Sequence, residues 1–192
     1  YSNGPVWAEV FAQQLGTGPL LPSLAGGTGF AHGGANTGGV DDVPTLRDQV
    51  NGFIARPGGA PSDALYVIAG GGNNVRDIAL QVLAGADPAA TIAAGAADYV
   101  NDIVTMLGQL QAEGARNFVV WNTPNLGLTP FGRSLGAAGS GLLSSISGAL
   151  GGALFNGLAG LDGVSLFDVY GLITNVAADP ANGDPVNTNT LQ

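Results

Sequence analysis

At 192 residues, 45% of them hydrophobic, the chain is long enough for one folded domain with a sizeable core and short for two. Five arginines and no lysine stand against 14 acidic residues, and the resulting net charge of −9 argues against a nucleic-acid partner or an anionic membrane surface. The absence of cysteine and the single histidine, His32, exclude disulfides, thiolate nucleophiles, and sulfur-ligated or multi-histidine metal sites; no metal and no cofactor is implied.

In chain order, Ser2 or Asn3 can cap a helix whose Val6, Val10, Phe11 and Leu15 share one face, and Gly16 stops it. Residues 26–39, GGTGFAHGGANTGG, are half glycine; Phe30, Ala31, Ala35 and Thr37 interrupt the run and predict a short strand leading into a tight turn. From Asp41 to Arg56 the apolar spacing of Leu46, Val50, Phe53 and Ile54 predicts an amphipathic helix with Asp41 and Asp42 near its positive end.

The organising stretch is Ala64 to Asp77, ALYVIAGGGNNVRD. Leu65 to Ile68 read as a strand buried on both faces of a parallel sheet, and Gly70, Gly71 and Gly72 let the backbone turn sharply. Asn73 and Asn74 then fall at the carboxyl end of the strand. Open α/β sheets place ligand sites there, and a side-chain amide can donate to a developing negative charge. A turn rich in Gly and Asn is the plainer account of the same residues.

Val75 to Leu83 predicts a short helix. Between Asp87 and Gly114, Ile92, Ala96, Val100, Ile103, Met106, Leu107 and Leu110 make the longest apolar stripe, with Met106 as core filling. NFVVW, residues 117–121, is a second strand, broken by Thr123-Pro124-Asn125. Between Leu135 and Leu161, Leu142, Leu143, Ile146, Leu150 and Leu154 keep helical spacing among small residues. VSLFD, residues 164–168, is a third strand, Val169 to Ala178 a helix, and the tail from Asp179 is polar. No apolar run reaches the roughly 18 residues of a membrane span. Strands alternating with helices predict βαβ units and a parallel sheet with helices on both faces.

Five stretches, SNGPVWAEVFAQQLG, GFAHGGANTGG, ALYVIAGGGNNVRD, NFVVWNTPNLGLTP and VSLFDVYGLI, resemble in this order successive segments of the GDSL (SGNH) serine esterases and lipases, especially bacterial secreted and autotransporter-type members. The resemblance spans Tyr1 to about Asn175. It implies an α/β fold, a three-layer α/β/α sandwich with a mainly parallel, flavodoxin-like sheet. It also implies hydrolysis of a small-molecule ester or lipid through an acyl-enzyme. The family's glycine block falls on Ala31-His32-Gly33-Gly34-Ala35, with Gly34 at the oxyanion-hole glycine. Its Gly-x-Asn-Asp block falls on Gly71-Gly72-Asn73-Asn74, with Asn73 at the oxyanion-hole asparagine and Asn74 replacing the usual aspartate. His32, Gly33 and Asn74 are placed beside the substrate by the same alignment of blocks.

Two family blocks have no counterpart: the 192 residues contain neither Gly-Asp-Ser nor Asp-x-x-His. His32 has no partner nucleophile, since Ser2, Ser23, Ser62 and Ser134 sit on no strand-to-helix turn of the required kind. Asp168, lacking a histidine partner, reads as a helix cap. Three expectations remain open. The chain is a partial SGNH-like domain, residues 1–192, of an esterase whose serine and Asp-His segments lie elsewhere. Alternatively, it is a non-catalytic binding module, or a fragment active only with a complementing chain. As given, it is expected to be inactive alone, and the loss of a central strand is expected to leave unpaired edges and an open groove. The resemblance and the scarcity of charge and cysteine point to a secreted, cell-surface or periplasmic location.

Overall fold

The computed structural model describes residues 4–178. Three parallel strands, β1 (Leu65–Ile68), β2 (Asn117–Trp121) and β3 (Val164–Phe167), pair in the order β1-β2-β3. Tyr66 stands opposite Phe118, and Val120 opposite Leu166. Around them lie α1 (Trp7–Gln14), α2 (Leu46–Ile54), α3 (Gly72–Leu83), α4 (Pro88–Ala112), α5 (Pro130–Ser134), α6 (Gly136–Gly157) and α7 (Val169–Ala178).

Both crossovers step the same way along the sheet. Right-handed connections therefore put their helices on one common face. That face carries Ile68, Phe118 and Val120, buried with Ile103, Met106 and Leu107 of α4 and with Leu143, Ile146 and Leu150 of α6. Tyr66, Val164 and Leu166 are packed against the same cluster. The helix α2 joins it through Phe53, whose ring meets Tyr66 edge-on at 5.9 Å. On the opposite face Trp7 of α1 lies against Trp121, with ring centroids 4.4 Å apart, and Trp121 against Phe167 at 4.9 Å. Helices thus flank both faces, as expected. Leu65, Val67 and Phe167 on the second face remain 42%, 36% and 40% exposed.

Several local expectations are corrected. Residues 30–37 form no strand; Gly33 and Gly34 make a turn, and the nearest bridge pairs Pro22 with Gly29. Ala35 O and the backbone groups of Asn36 and Thr37 are taken by side chains and by the start of α2. The helix α2 begins at Leu46, not near Asp41, because Thr45 caps it: the Thr45 hydroxyl accepts from Asp48 N at 3.2 Å. Asp48 accordingly takes the first-turn position assigned to Asp41 and Asp42. The helix α3 starts three residues earlier than the apolar spacing showed, so Asn73 and Asn74 lie on its first turn. For α1, the expected caps Ser2 and Asn3 lie outside the described residues; within them Glu9 accepts from Val6 N at 2.7 Å. The polar tail from Asp179 also lies outside.

The three strands are contiguous, so among the described residues no groove opens in the sheet, and the free edges are the outer ones of β1 and β3. The helix α6 differs from the expectation that no apolar run is long enough for a span: within its 22 residues an 18-residue window has a mean hydropathy of 1.3, long and apolar enough by length and composition to cross a bilayer. Glycine and serine interrupt its apolar run without adding charge, which hid the length. Here it is a core helix: Leu143, Ile146, Leu150 and Leu154 pack inward.

Asp87 caps α4 through a 2.7 Å bond from Ala90 N, and Pro88 opens its first turn. Its Ile103 is fully buried at the centre of the cluster. Ile103→Ala should lower the unfolding free energy by about 2–5 kcal/mol, seen as an earlier urea midpoint at unchanged slope.

Candidate active site

The strand β1 passes into α3 through Gly71, whose φ of +108° lies in the left-handed region. A Cβ there would fall 2.6 Å from Thr123 Cγ2 and 2.7 Å from Tyr99 Cε2. The position thus requires glycine twice, for its conformation and for the close approach. Tyr99, fully buried on α4, donates from its hydroxyl to Gly70 O and Trp121 O, each at 3.4 Å. Burial pushes this phenol above its ordinary range, so the proton stays on the donor.

The amino end of α3 is therefore pressed against the carboxyl ends of β1 and β2. Its first N–H groups, on Gly72, Asn73 and Asn74, have no intrahelical acceptor, and a 12-residue helix brings partial positive charge to this end. The family-like residue pair is brought together here. Asn73 donates from Nδ2 to Ala35 O at 2.9 Å, beside Gly34, which sits in its turn at φ +89°.

The loop 34–37 is held from every side. Asn36 N donates to Asp41 Oδ2 at 2.9 Å, and Asn36 Nδ2 to Asp77 Oδ2 at 2.9 Å. Thr37 N donates to Asn74 Oδ1 at 3.2 Å, and Asn74 Nδ2 to Thr37 Oγ1 at 3.0 Å. The start of α2 donates to the loop's carbonyls, Leu46 N to Asn36 O at 3.0 Å and Arg47 N to Thr37 O at 3.1 Å. The Gly34 N–H, by contrast, has no partner among the described residues. Next to it, one of the two Asn73 amide hydrogens is also uncommitted. Backbone hydrogen bonds from Asn36 and Asp42 hold the Asp41 carboxyl below the usual carboxylate range.

His32 is half-buried and Gly33 exposed at the start of this loop, and His32 takes no hydrogen bond among the described residues. Asn74 is half-buried, with both ends of its amide engaged by Thr37. Depressions of about 350 Å³ between α2 and α4 and about 630 Å³ beside α1 lie away from Gly34 and Asn73. Among the described residues no group of three or more potential metal ligands occurs.

A family model described as GDSL-like lipase/acylhydrolase matches residues 1–188. The chain belongs to this family. Lipase 1 of Photorhabdus luminescens is 32% identical over 189 residues, which is 95% of this chain and 27% of that protein. The chain thus spans about a quarter of the length of this curated relative. GDSL hydrolases act on small-molecule esters, and membership supports an esterase- or lipase-type function in general. Nothing in the fold or the comparisons supports a separate complementing chain.

In this GDSL-like chain a second polar cluster closes the sheet end at β3. Asp168 caps α7, accepting from Gly171 N at 2.9 Å, and also accepts from Asn122 Nδ2 at 2.7 Å. Asn122 Oδ1 in turn accepts from Tyr170 N at 3.0 Å. The aspartate is thus a cap, in keeping with its sequence reading. The residues that sequence reasoning missed are Thr37, Asp77, Asp102 and Asn122. Only the broken strand end at Thr123-Pro124-Asn125 hinted at the last, and no spacing could have paired Thr37 with Asn74 or Asp102.

Two outcomes follow from these contacts. Gly71→Ala combines backbone strain with overpacking, each about 1–3 kcal/mol, and should move the urea midpoint more than any surface substitution. Asp168 carries a pKa lowered from 3.8, chiefly by the Gly171 N–H and then by Asn122. Its contribution is therefore present above the unfolded value and lost as pH falls through the lowered one. Asp168→Asn, which keeps a capping oxygen, should flatten the fall of Tm between about pH 5 and pH 3.

Proposed function

We propose that this chain forms the oxyanion-stabilising half of a carboxylic ester hydrolase. The observation that carries the reading is the free Gly34 N–H beside the Asn73 amide, on a loop whose Ala35 carbonyl and Asn36 and Thr37 backbone groups are bonded. In acyl transfer a serine oxygen adds to the ester carbonyl, its proton passes to a histidine, and the carbonyl oxygen becomes an oxyanion. Gly34 N–H and Asn73 Nδ2 donate to that oxygen, and the positive end of α3 lies behind them. Collapse of the intermediate expels the alcohol, which takes the histidine's proton, and leaves an acyl-serine for water to hydrolyse.

The serine and the Asp-His pair come, in this reading, from polypeptide beyond the 192 residues. What supports this is the lack of both motifs in the sequence, together with the partly exposed apolar side chains on the second sheet face. The name of the relative, Lipase 1, extends the proposed substrates to lipid esters.

The test uses the longer polypeptide with its serine and Asp-His segments, assayed on p-nitrophenyl butyrate. Asn73→Ala should lower kcat by about a hundredfold to a thousandfold with KM little changed. Turnover equal to the parent's would remove Asn73 from the oxyanion hole.

A further inference from the structure

Two residues beyond the oxyanion donors join the loop 34–37 to the rest of the fold. Thr37, fully buried, donates from its hydroxyl to Asp102 Oδ2 on α4 at 2.8 Å. Asp102 Oδ1 in turn accepts from Arg47 Nη1 on α2 at 3.3 Å. The chain of bonds thus runs from Asn74 through Thr37 to Asp102 and Arg47, tying α3, the loop, α4 and α2 at one point.

The direction of each bond in this chain is forced. Arg47 can only donate, so Asp102 Oδ1 accepts from it, and Asp102 Oδ2 accepts from the Thr37 hydroxyl. The single Thr37 proton must then point at Asp102, and the Thr37 oxygen must accept from residue 74. Residue 74 must at the same time accept from Thr37 N. Only a side chain carrying one donor and one acceptor on the same planar group does both. An amide qualifies; a carboxylate, which has no proton to give, does not.

We propose that Asn74 is a positioning residue that holds the Gly34 loop in its oxyanion-binding geometry, and that the Thr37–Asp102 bond is what makes an amide obligatory there. The inference rests on the esterase reading of Gly34 and Asn73. It accounts for the one departure of this chain from the Gly-x-Asn-Asp block: the aspartate usual at this place would face Asp102 across one hydroxyl with a single proton between two carboxylates. That arrangement leaves one acceptor unmet and adds like-charge repulsion, so the loop releases.

The test is a polarity swap in the full-length polypeptide, read by p-nitrophenyl butyrate hydrolysis and by amide hydrogen exchange over residues 34–38. Asn74→Asp should lower kcat about tenfold or more at similar KM and speed exchange in the loop. Asp102→Asn alone should stay within about threefold, because the introduced amide still accepts the Thr37 proton and only a partly exposed ion pair is lost. Combining the two should restore both readouts, since the amide at 102 now donates to Thr37, whose proton turns to the carboxylate at 74. A non-additive rescue of this kind would not follow from general loss of stability.

Asn74→Asp with parental exchange and turnover overturns the proposal, and so does failure of Asp102→Asn to rescue it. Faster exchange with unchanged turnover overturns the link between clamp and hole. If the parent hydrolyses no ester, the esterase reading falls, while the exchange pattern still decides whether Asn74 clamps the loop.

Discussion

The structure depends on one close approach, that of Gly71 to Thr123 and Tyr99. With no side chain at this turn, β1 hands over to α3 directly above the end of β2, and the buried Tyr99 hydroxyl bridges the two strand ends. The amino end of α3 is thereby placed at the mouth of the sheet. Asn73 and Asn74 then project from a fixed first turn and not from a loose loop. A helix end so held supplies N–H groups and partial positive charge without the desolvation cost of burying a cation.

The polar architecture of the site follows from scarcity of charge. No lysine is available, and around the loop three carboxylates, Asp41, Asp77 and Asp102, and the arginine Arg47 combine with neutral groups that orient one another. Asparagine and threonine suit this because each carries both a donor and an acceptor, and their directions can be chained. Around Gly34 the result is a loop in which Ala35 O and the backbone N–H and C=O groups of Asn36 and Thr37 are bonded, while the Gly34 N–H is not. On the proposed reading, donors held in a rigid surround suit an oxyanion because they do not have to reorganise when charge develops.

The two sheet faces are unequal for a topological reason. Two right-handed crossovers in one direction load α4 and α6 onto the same side, where the core is dense. The opposite side can be covered only by chain before β1 or after β3. Trp7 provides the contact there through Trp121, which in turn meets Phe167, while Val10 and Phe11 on the α1 stripe remain 43% and 38% exposed.

Local chemistry was enough to place the helices and strands: the apolar stripe of α4, the run LYVI, and the block order that assigned Gly34 and Asn73 are all contiguous signals. The same signals erred where a partner distant in sequence intervened. Residues 30–37 could not be recognised as a clamped loop because their hydrogen-bond partners come from α2 and α3, and the early start of α3 was hidden by three glycines with no periodicity of their own. Thr37 and Asp102 are 65 positions apart, so only folding brings them together, and with them the requirement for an amide at Asn74. What the sequence determined by itself is the order of elements and the kind of sheet, because these rest on periodicity and neighbouring residues; Gly34 and Asn73 were assigned to the oxyanion hole only by the resemblance to the family's blocks. What tertiary structure decided is which donors remain free and which way each hydrogen bond points, because that depends on groups that meet only across the fold.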